Sequence, residues 1–264
     1  MKKPSKPKAG AAAAPETGSS VDRVVEALMD RILGALMPGS NLPSESELAT
    51  EFAVSRLTIR EAVKVLAGRG LLEVSRGKRA VVREPDGSAF GEFMAAAMKH
   101  DPKGLLDLVE VRQALEIQSA TLSARHMNRA GAAAIEAALD GMRTAAVRMR
   151  RGPDKEEAEH RFHDFDVGFH EALALSSGNR MLAYLLEAMA IPLRDSFHLS
   201  MKGHRLGGHE PEETIAAHEL IFARVKAGDG RGAAQAMRSH LRDADQAIRT
   251  ALSAGLAPPA RKRS

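Results

Sequence analysis

Asp166 and His170 lie four residues apart in a stretch where Phe162, Phe165, Phe169 and Leu173 recur at helical spacing. Positions i and i+4 share a helix face, so the two side chains can chelate one cation. Two further histidines fall on apolar stripes of the same kind. His218 accompanies Ile215, Phe222 and Val225, and His240 accompanies Met237, Leu241, Ala244 and Ile248. A single inward histidine is ordinarily a satisfied core residue. Three of them with an inward carboxylate match the metal sites that helical bundles assemble from facing helices. Such a set suits one divalent ion per chain, zinc in the first place, with nickel, manganese or iron as alternatives. His163 precedes Asp166 by three residues and His170 by seven, so it shares their face and is an alternative ligand. His160, His198, His204 and His209 fall at helix ends or in loops and read as solvated.

Arg112 is an inward charge on the stripe of Leu105, Leu108, Leu115 and Leu122. A buried guanidinium needs an anion. Glu116, one turn on, can supply it within the helix; an acidic ligand is the other reading. Arg194 is a second candidate for such a ligand.

A different chemistry is concentrated near the N-terminus. Arg56, Arg60 and Lys64 follow one another at four-residue spacing, opposite an apolar face of Ile59, Ala62, Val63 and Leu66. Arginines in a first helical turn oppose the macrodipole. A guanine or phosphate partner explains them, because the guanidinium fork matches guanine O6 and N7. Ser55 and Thr58 can donate to phosphate beside the free N–H groups of the same turn. Residues 54–83 carry eight Lys or Arg against two Glu, a net charge of +6, whereas the whole 264-residue chain carries +4. Double-stranded DNA is the partner this ridge fits.

The elements that position these groups follow from periodicity and punctuation. Helices are predicted over 21–37, 45–52 and 55–67, followed by strand-like runs at 71–75 and 79–82 around the turn Arg76-Gly77-Lys78. That order is a winged helix-turn-helix. From residue 104 onward only helices are predicted, near 104–127, 131–150, 157–177, 179–198, 212–227 and 230–254. The fold class is therefore mainly α, a winged helix followed by an all-α helical bundle. The division is a basic tail at 1–20, a DNA-binding domain at 21–84, a linker with one helix at 85–104, the helical domain at 105–254 and a second tail at 255–264.

Composition narrows the function. Cysteine is absent, which removes disulfides, thiolate metal sites and a cysteine nucleophile. Eight Phe, one Tyr and no Trp are few for binding single strands by base stacking. No apolar run reaches the length of a membrane span, and the first residues are too weakly apolar for a signal-peptide core. The chain is expected in the cytoplasm, with no membrane partner.

Leu42-Pro43-Ser44-Glu45, Glu47-Leu48-Ala49, Val54-Ser55-Arg56, Thr58-Ile59-Arg60-Glu61-Ala62, Gly70-Leu71-Leu72 and Arg76-Gly77 closely resemble the DNA-binding domain of GntR-family transcription factors. The resemblance implies that Arg56 and Arg60 read guanines and that Gly77 approaches the minor groove. It implies groove or backbone contacts for Ser55, Thr58, Arg76 and Lys78. Two positions depart from the family pattern: Ser46 stands where Arg is usual, and the wing reads Gly77-Lys78-Arg79 rather than Gly-x-Gly. The operator sequence is therefore not transferable from a relative.

Asp166-Val167-Gly168-Phe169-His170, Ser177-Gly178-Asn179, and His218 followed by Met237-Arg238-Ser239-His240-Leu241 resemble the FCD effector domain of the FadR-like branch. The resemblance covers roughly 105–254 and implies the ligand set Asp166, His170, His218 and His240. It also favours a small organic-acid or sugar-acid effector bridging Arg112 and the metal. A homodimeric regulator, most often a repressor in this family, on a pseudo-palindromic operator is the expected function. Two alternatives remain. One is a DNA-binding scaffold with a purely structural metal. The other is a non-haem iron enzyme using Asp166, His170 and His218, against which a fourth ligand counts because it closes positions needed for dioxygen.

Overall fold

A computed structural model describes residues 19–84, 86–98, 102–152, 154–195 and 197–256. The two tails read from the sequence lie largely outside these residues. The chain divides into two compact units with the boundary after Glu84.

The first unit contains α1 (Ser20–Ala35), α2 (Glu45–Glu51), α3 (Arg56–Gly68), β1 (Leu72–Glu73) and β2 (Val81–Val82). Each helix begins at a serine: Ser19, Ser44 and Ser55 accept hydrogen bonds from backbone N–H groups three residues on. Asp22 and Glu47 complete capping boxes on the first two. The first of these boxes starts α1 inside the stretch read as tail. Leu28, Leu48, Ile59, Leu66 and Leu72 form the buried centre. The strands are shorter than the runs read at 71–75 and 79–82. They pair antiparallel, Leu72 opposite Val82 and Glu73 opposite Val81. Their other support comes from the preceding loop, where Gly39 N–H donates to Val82 O and Leu42 N–H to Ala80 O, both at 2.8 Å. Gly77 turns the wing tip at φ +75°, a conformation open to glycine at little cost.

The second unit contains α4 (Ser88–Met98), α5 (Pro102–His126), α6 (Arg129–Arg151), α7 (Lys155–Ser176), α8 (Arg180–Asp195), α9 (Phe197–Gly207), α10 (Pro211–Lys226) and α11 (Gly230–Leu256). Its main core gathers Ile135, Phe169, Leu173, Ile221, Met237 and Leu241 from four of these helices. Among the described residues no helix is long and apolar enough to cross a membrane.

The structure fills in one segment of the sequence reading and corrects another. Within 85–104, read as a linker with one helix, residues 88–98 form α4, packed on α8. Gly87 and Gly91 make that approach possible, since a Cβ on either would overlap the α8 backbone at Tyr184 or Ala188. Residues 203–207, read as a break, continue α9, which packs on α11. A Cβ on Gly203 would overlap the Ala247 carbonyl. This glycine brings two helices together instead of ending one, and sequence alone does not separate the two uses.

Candidate metal centre and nucleic-acid interface

Four helices of the second unit converge on one point. α7 carries Asp166 and His170 one turn apart, α10 carries His218, α11 carries His240, and α5 carries Arg112 and Glu116. The three imidazoles are buried, His218 completely. Their Nε2 atoms form a triangle with sides of 3.2 Å (His170–His218), 3.1 Å (His218–His240) and 3.3 Å (His170–His240). Nitrogens bound to one tetrahedral ion at about 2.0–2.1 Å stand about 3.3 Å apart, so the cluster fits a single divalent cation. Phe169 lies against His218 with ring centroids 4.1 Å apart, which fixes that ring's tilt. Burial, and then the neighbouring imidazoles, push His218 well below its ordinary range; burial and His170 hold His240 at about 3. Both rings are thus neutral, the form that binds metal.

Behind this triangle lies Glu116, 2% exposed. Its carboxylate meets Nδ1 of His170 on one side and Nε of Arg112 on the other. Burial alone would raise its pKa, but Arg112 and His170 outweigh burial and bring it down to about 2. An acceptor at Nδ1 places the His170 proton there and leaves Nε2 with its lone pair toward the cluster. Arg112 also lines a cavity of about 190 Å³ together with Asp166, His163, His204 and His240. Guanidinium, imidazoles and carboxylate thus line one cavity.

In the first unit the chemistry lies on the surface. Arg56, Arg60, Arg76, Gly77 and Lys78 are all exposed. The Ser55 hydroxyl accepts from Thr58 N–H at 3.1 Å and lies 2.9 Å from the Thr58 hydroxyl. One of the two hydroxyl protons is spent on that contact and the other is free to donate outward. Arg60 makes a two-point contact with Glu45 at 3.2 and 2.8 Å. Both partners are substantially exposed, so the pair exchanges cheaply for another anion.

Residues 20–82 match the bacterial regulatory proteins of the gntR family, and residues 107–243 match the FCD domain. The chain belongs to the FCD-containing, FadR-like branch of the GntR family. It is 30% identical over 216 residues to the HTH-type transcriptional regulator LutR of Bacillus subtilis, covering 81% of this chain and 94% of that protein. It is 30% identical over 225 residues to the galactonate operon transcriptional repressor of Escherichia coli, covering 83% and 93%. A solved Streptococcus agalactiae GntR superposes with a TM-score of 0.65 at 27% identity, over 86% of this chain and 99% of that one. This is a DNA-binding transcriptional regulator with an FCD effector domain.

The sequence-derived residues of this GntR-family regulator divide unevenly. His170, His218 and His240 meet in one cluster. Asp166 stands at its edge, Oδ1 3.6 Å from His218 Nε2. His163 reaches Asp166 at 4.0 Å and lies outside the triangle. Arg112 makes the intrahelical pair with Glu116 and also lines the cavity. Arg194 is not brought to the site. Its side chain is 43% exposed, engages Glu171 at 3.2 Å and lines neither the 190 Å³ cavity nor its neighbour; the long stem carries the charge out to solvent. His204, read as solvated, lies within α9 and faces the cavity. His160 and His209 are exposed as read, and the side chain of His198 lies outside the described residues. Sequence reasoning saw Glu116 only as a partner for Arg112. An inward acid one turn from an inward arginine was the available signal, and its contact with His170 has no signature in spacing.

Proposed function

We propose that this regulator senses a small organic or sugar acid at a divalent-metal site in its FCD domain, and that the acid controls operator affinity. His170, His218 and His240, with Asp166 beside them, would hold the ion. When bound, it would supply a fixed positive charge and a Lewis acid at the head of the cavity. Arg112 would take the effector's carboxylate, and its anchoring by Glu116 fixes where that charge is offered. The observation that carries this reading is the shared cavity, with Arg112 on one wall and Asp166 and His240 on another.

In the first unit Arg56 and Arg60 would read guanines. Ser55, Thr58, Arg76 and Lys78 would contact backbone or groove, and Gly77 would let the wing approach closely. A homodimer on a two-fold operator suits such heads, working as a repressor in the cytoplasm. Effector control requires the acid to bind the DNA-bound and DNA-free states with different affinities, and the DNA then shifts acid affinity by the same factor.

A thermal-shift panel of small acids on zinc-loaded protein tests this, with His218→Ala and Arg112→Ala alongside. A bound acid at a hundredfold excess over Kd adds about 2.7 kcal/mol of stability. One acid should stabilise the wild type, fail on both variants and change operator affinity. The Arg112–Glu116 pair favours a second reading, in which Arg112 already has its anion and the metal is structural. In that case no acid shifts any of the three proteins.

A further inference from the structure

Leu57, the second residue of α3, is 65% exposed. It belongs neither to the apolar core of the first unit nor to the half-buried residues packed around that core. At about 100° per residue, Ile59, Ala62, Val63 and Leu66 define the buried side of α3, and Leu57 lies almost directly opposite. Lys64 follows on nearly the same line two turns further on, and Arg60 and Arg56 lie to one side. In a helix-turn-helix, base edges are reached from the N-terminal part of the reading helix. Of the α3 residues, Leu57 alone stands both in the first turn and at the middle of the outer face.

A leucine there gains nothing in the free protein. An acid in a first turn stabilises a helix through the macrodipole. α1 carries Asp22 and α2 carries Glu45 and Glu47 in that place, whereas α3 carries no acid. Repulsion from phosphate accounts for the missing acid, but not for an apolar residue. A contact to the DNA backbone wants a donor, which leucine lacks. A protein partner would need a wider apolar patch. The other large exposed apolar residue of α3 is Val65, about 12 Å along the axis, and the outer face between them carries Arg60, Glu61 and Lys64.

The major groove offers one apolar group, the C5 methyl of thymine. Against the polar edge of guanine, adenine or cytosine, Leu57 would strip water and return no hydrogen bond. Against the methyl, both apolar surfaces leave water together. We propose that Leu57 reads a thymine methyl in each half-site, beside the guanines taken by Arg56 and Arg60. The proposal rests on the reading that those two arginines meet guanine in the major groove. Arg56 and Arg60 stand about 6 Å apart along the helix axis, close to the rise of two base steps. Leu57 lies between them along that axis, so the three address neighbouring base pairs. Leucine thereby specifies a base that neither guanidinium selects.

Selection from a randomised DNA duplex pool with the full-length protein gives the preferred sequence. Deoxyuridine in place of each thymine then removes only the methyl. At fixed salt, the wild type should select a thymine next to guanine in each half-site and lose about fourfold in affinity for each of those methyls removed, the worth of one buried methyl-sized group. Leu57→Ala keeps a good helix former at an exposed position and should melt like the wild type. It should bind the thymine duplex about as weakly as the wild type binds the uracil duplex, and lose nothing further on uracil. A residue acting only through the fold would not give that non-additivity.

Selection of no thymine beside guanine, a wild type indifferent to uracil there, or an equal loss from uracil in wild type and Leu57→Ala would overturn the assignment to Leu57. In each of those cases, weakened binding by Arg56→Ala and Arg60→Ala would still uphold the guanine reading. If those two variants bind the selected duplex as the wild type does, the guanine reading falls and this one with it.

Discussion

The two units hold their functional groups in opposite ways. In the first, the groups offered to a partner are exposed, their ion pairs are solvated, and the core beneath is purely apolar. In the second, the functional groups are themselves core: three imidazoles and a carboxylate are buried among Phe169, Leu173 and Met237. An exposed arginine on such a surface carries little of the fold and can change with little loss of structure, whereas Ser55 also caps α3 and Gly77 also turns the wing. A buried polar site is part of what folds, and each member is satisfied only by the others. Substitution of the exposed Arg56 or Arg60 in the first unit should therefore alter binding alone, whereas substitution of the buried polar groups of the second should alter binding and stability together.

The largest effect expected is at Glu116. Glu116→Ala leaves the nearly buried Arg112 guanidinium without its anion and His170 Nδ1 without its acceptor. Loss of one partner of a buried pair costs about 3–5 kcal/mol, and loss of a ligand-orienting carboxylate lowers metal affinity about 10–100-fold. Urea denaturation and zinc titration measure the two. An unchanged denaturation midpoint would place Glu116 outside the structural network and erase the contrast between the units.

Acid should separate the units next. His218 and His240 are held below the ordinary value of 6.5 when folded. The unfolded chain therefore binds more protons as pH drops, and stability falls from about pH 6.5 downward, toward about 3 for His240. Each group contributes up to about 1.4 kcal/mol per pH unit. In the first unit Asp22, Glu45 and Glu47 are lowered from 3.8 and 4.5 by their hydrogen bonds to Ser19, Arg60 and Ser44. What they contribute is present above those values and is lost only as pH falls through their folded values. Metal-free protein followed by amide exchange from pH 7 to 4 should lose protection in α10 and α11 before α2 and α3. Simultaneous loss would count against the buried-imidazole account.

Arg56→Ala and Arg60→Ala should each weaken operator binding by about 1–3 kcal/mol and leave the melting temperature nearly unchanged. If either variant unfolds early, its surface role is not separable from the fold. The smallest effect expected is a gain. Gly34 lies in α1 with open space, nothing within 4 Å, where a Cβ would stand, so Gly34→Ala should stabilise the first unit by about 0.5–1 kcal/mol. Gly203→Ala, against the Ala247 carbonyl, should go the other way by about 1–3 kcal/mol. Thermal melts of the pair give both signs.

Much of the fold was legible because its signals are local. Ser44 and Glu47 announce the start of α2 from three residues apart. The apolar stripe of Ile59, Ala62, Val63 and Leu66 identifies the buried side of α3 and thereby its basic outer side. Spacing also selected His170, His218 and His240. It could not tell that Asp166 lies at the margin of the cluster, that His163 stands outside it, or that Arg194 reaches solvent. Each of those depends on how far one helix is rotated against another.

The sequence by itself determined which helices form, which faces they bury and which residue types those faces carry. These properties repeat every three or four residues and are encoded within single elements. Only the tertiary structure decided that three ring nitrogens close to within 3.3 Å, that Glu116 joins Arg112 to His170, and that the glycine at 203 lets α9 pack closely on α11. Those outcomes depend on distances between helices far apart in the chain. Such distances are set by the packing of many side chains at once, so no local pattern contains them.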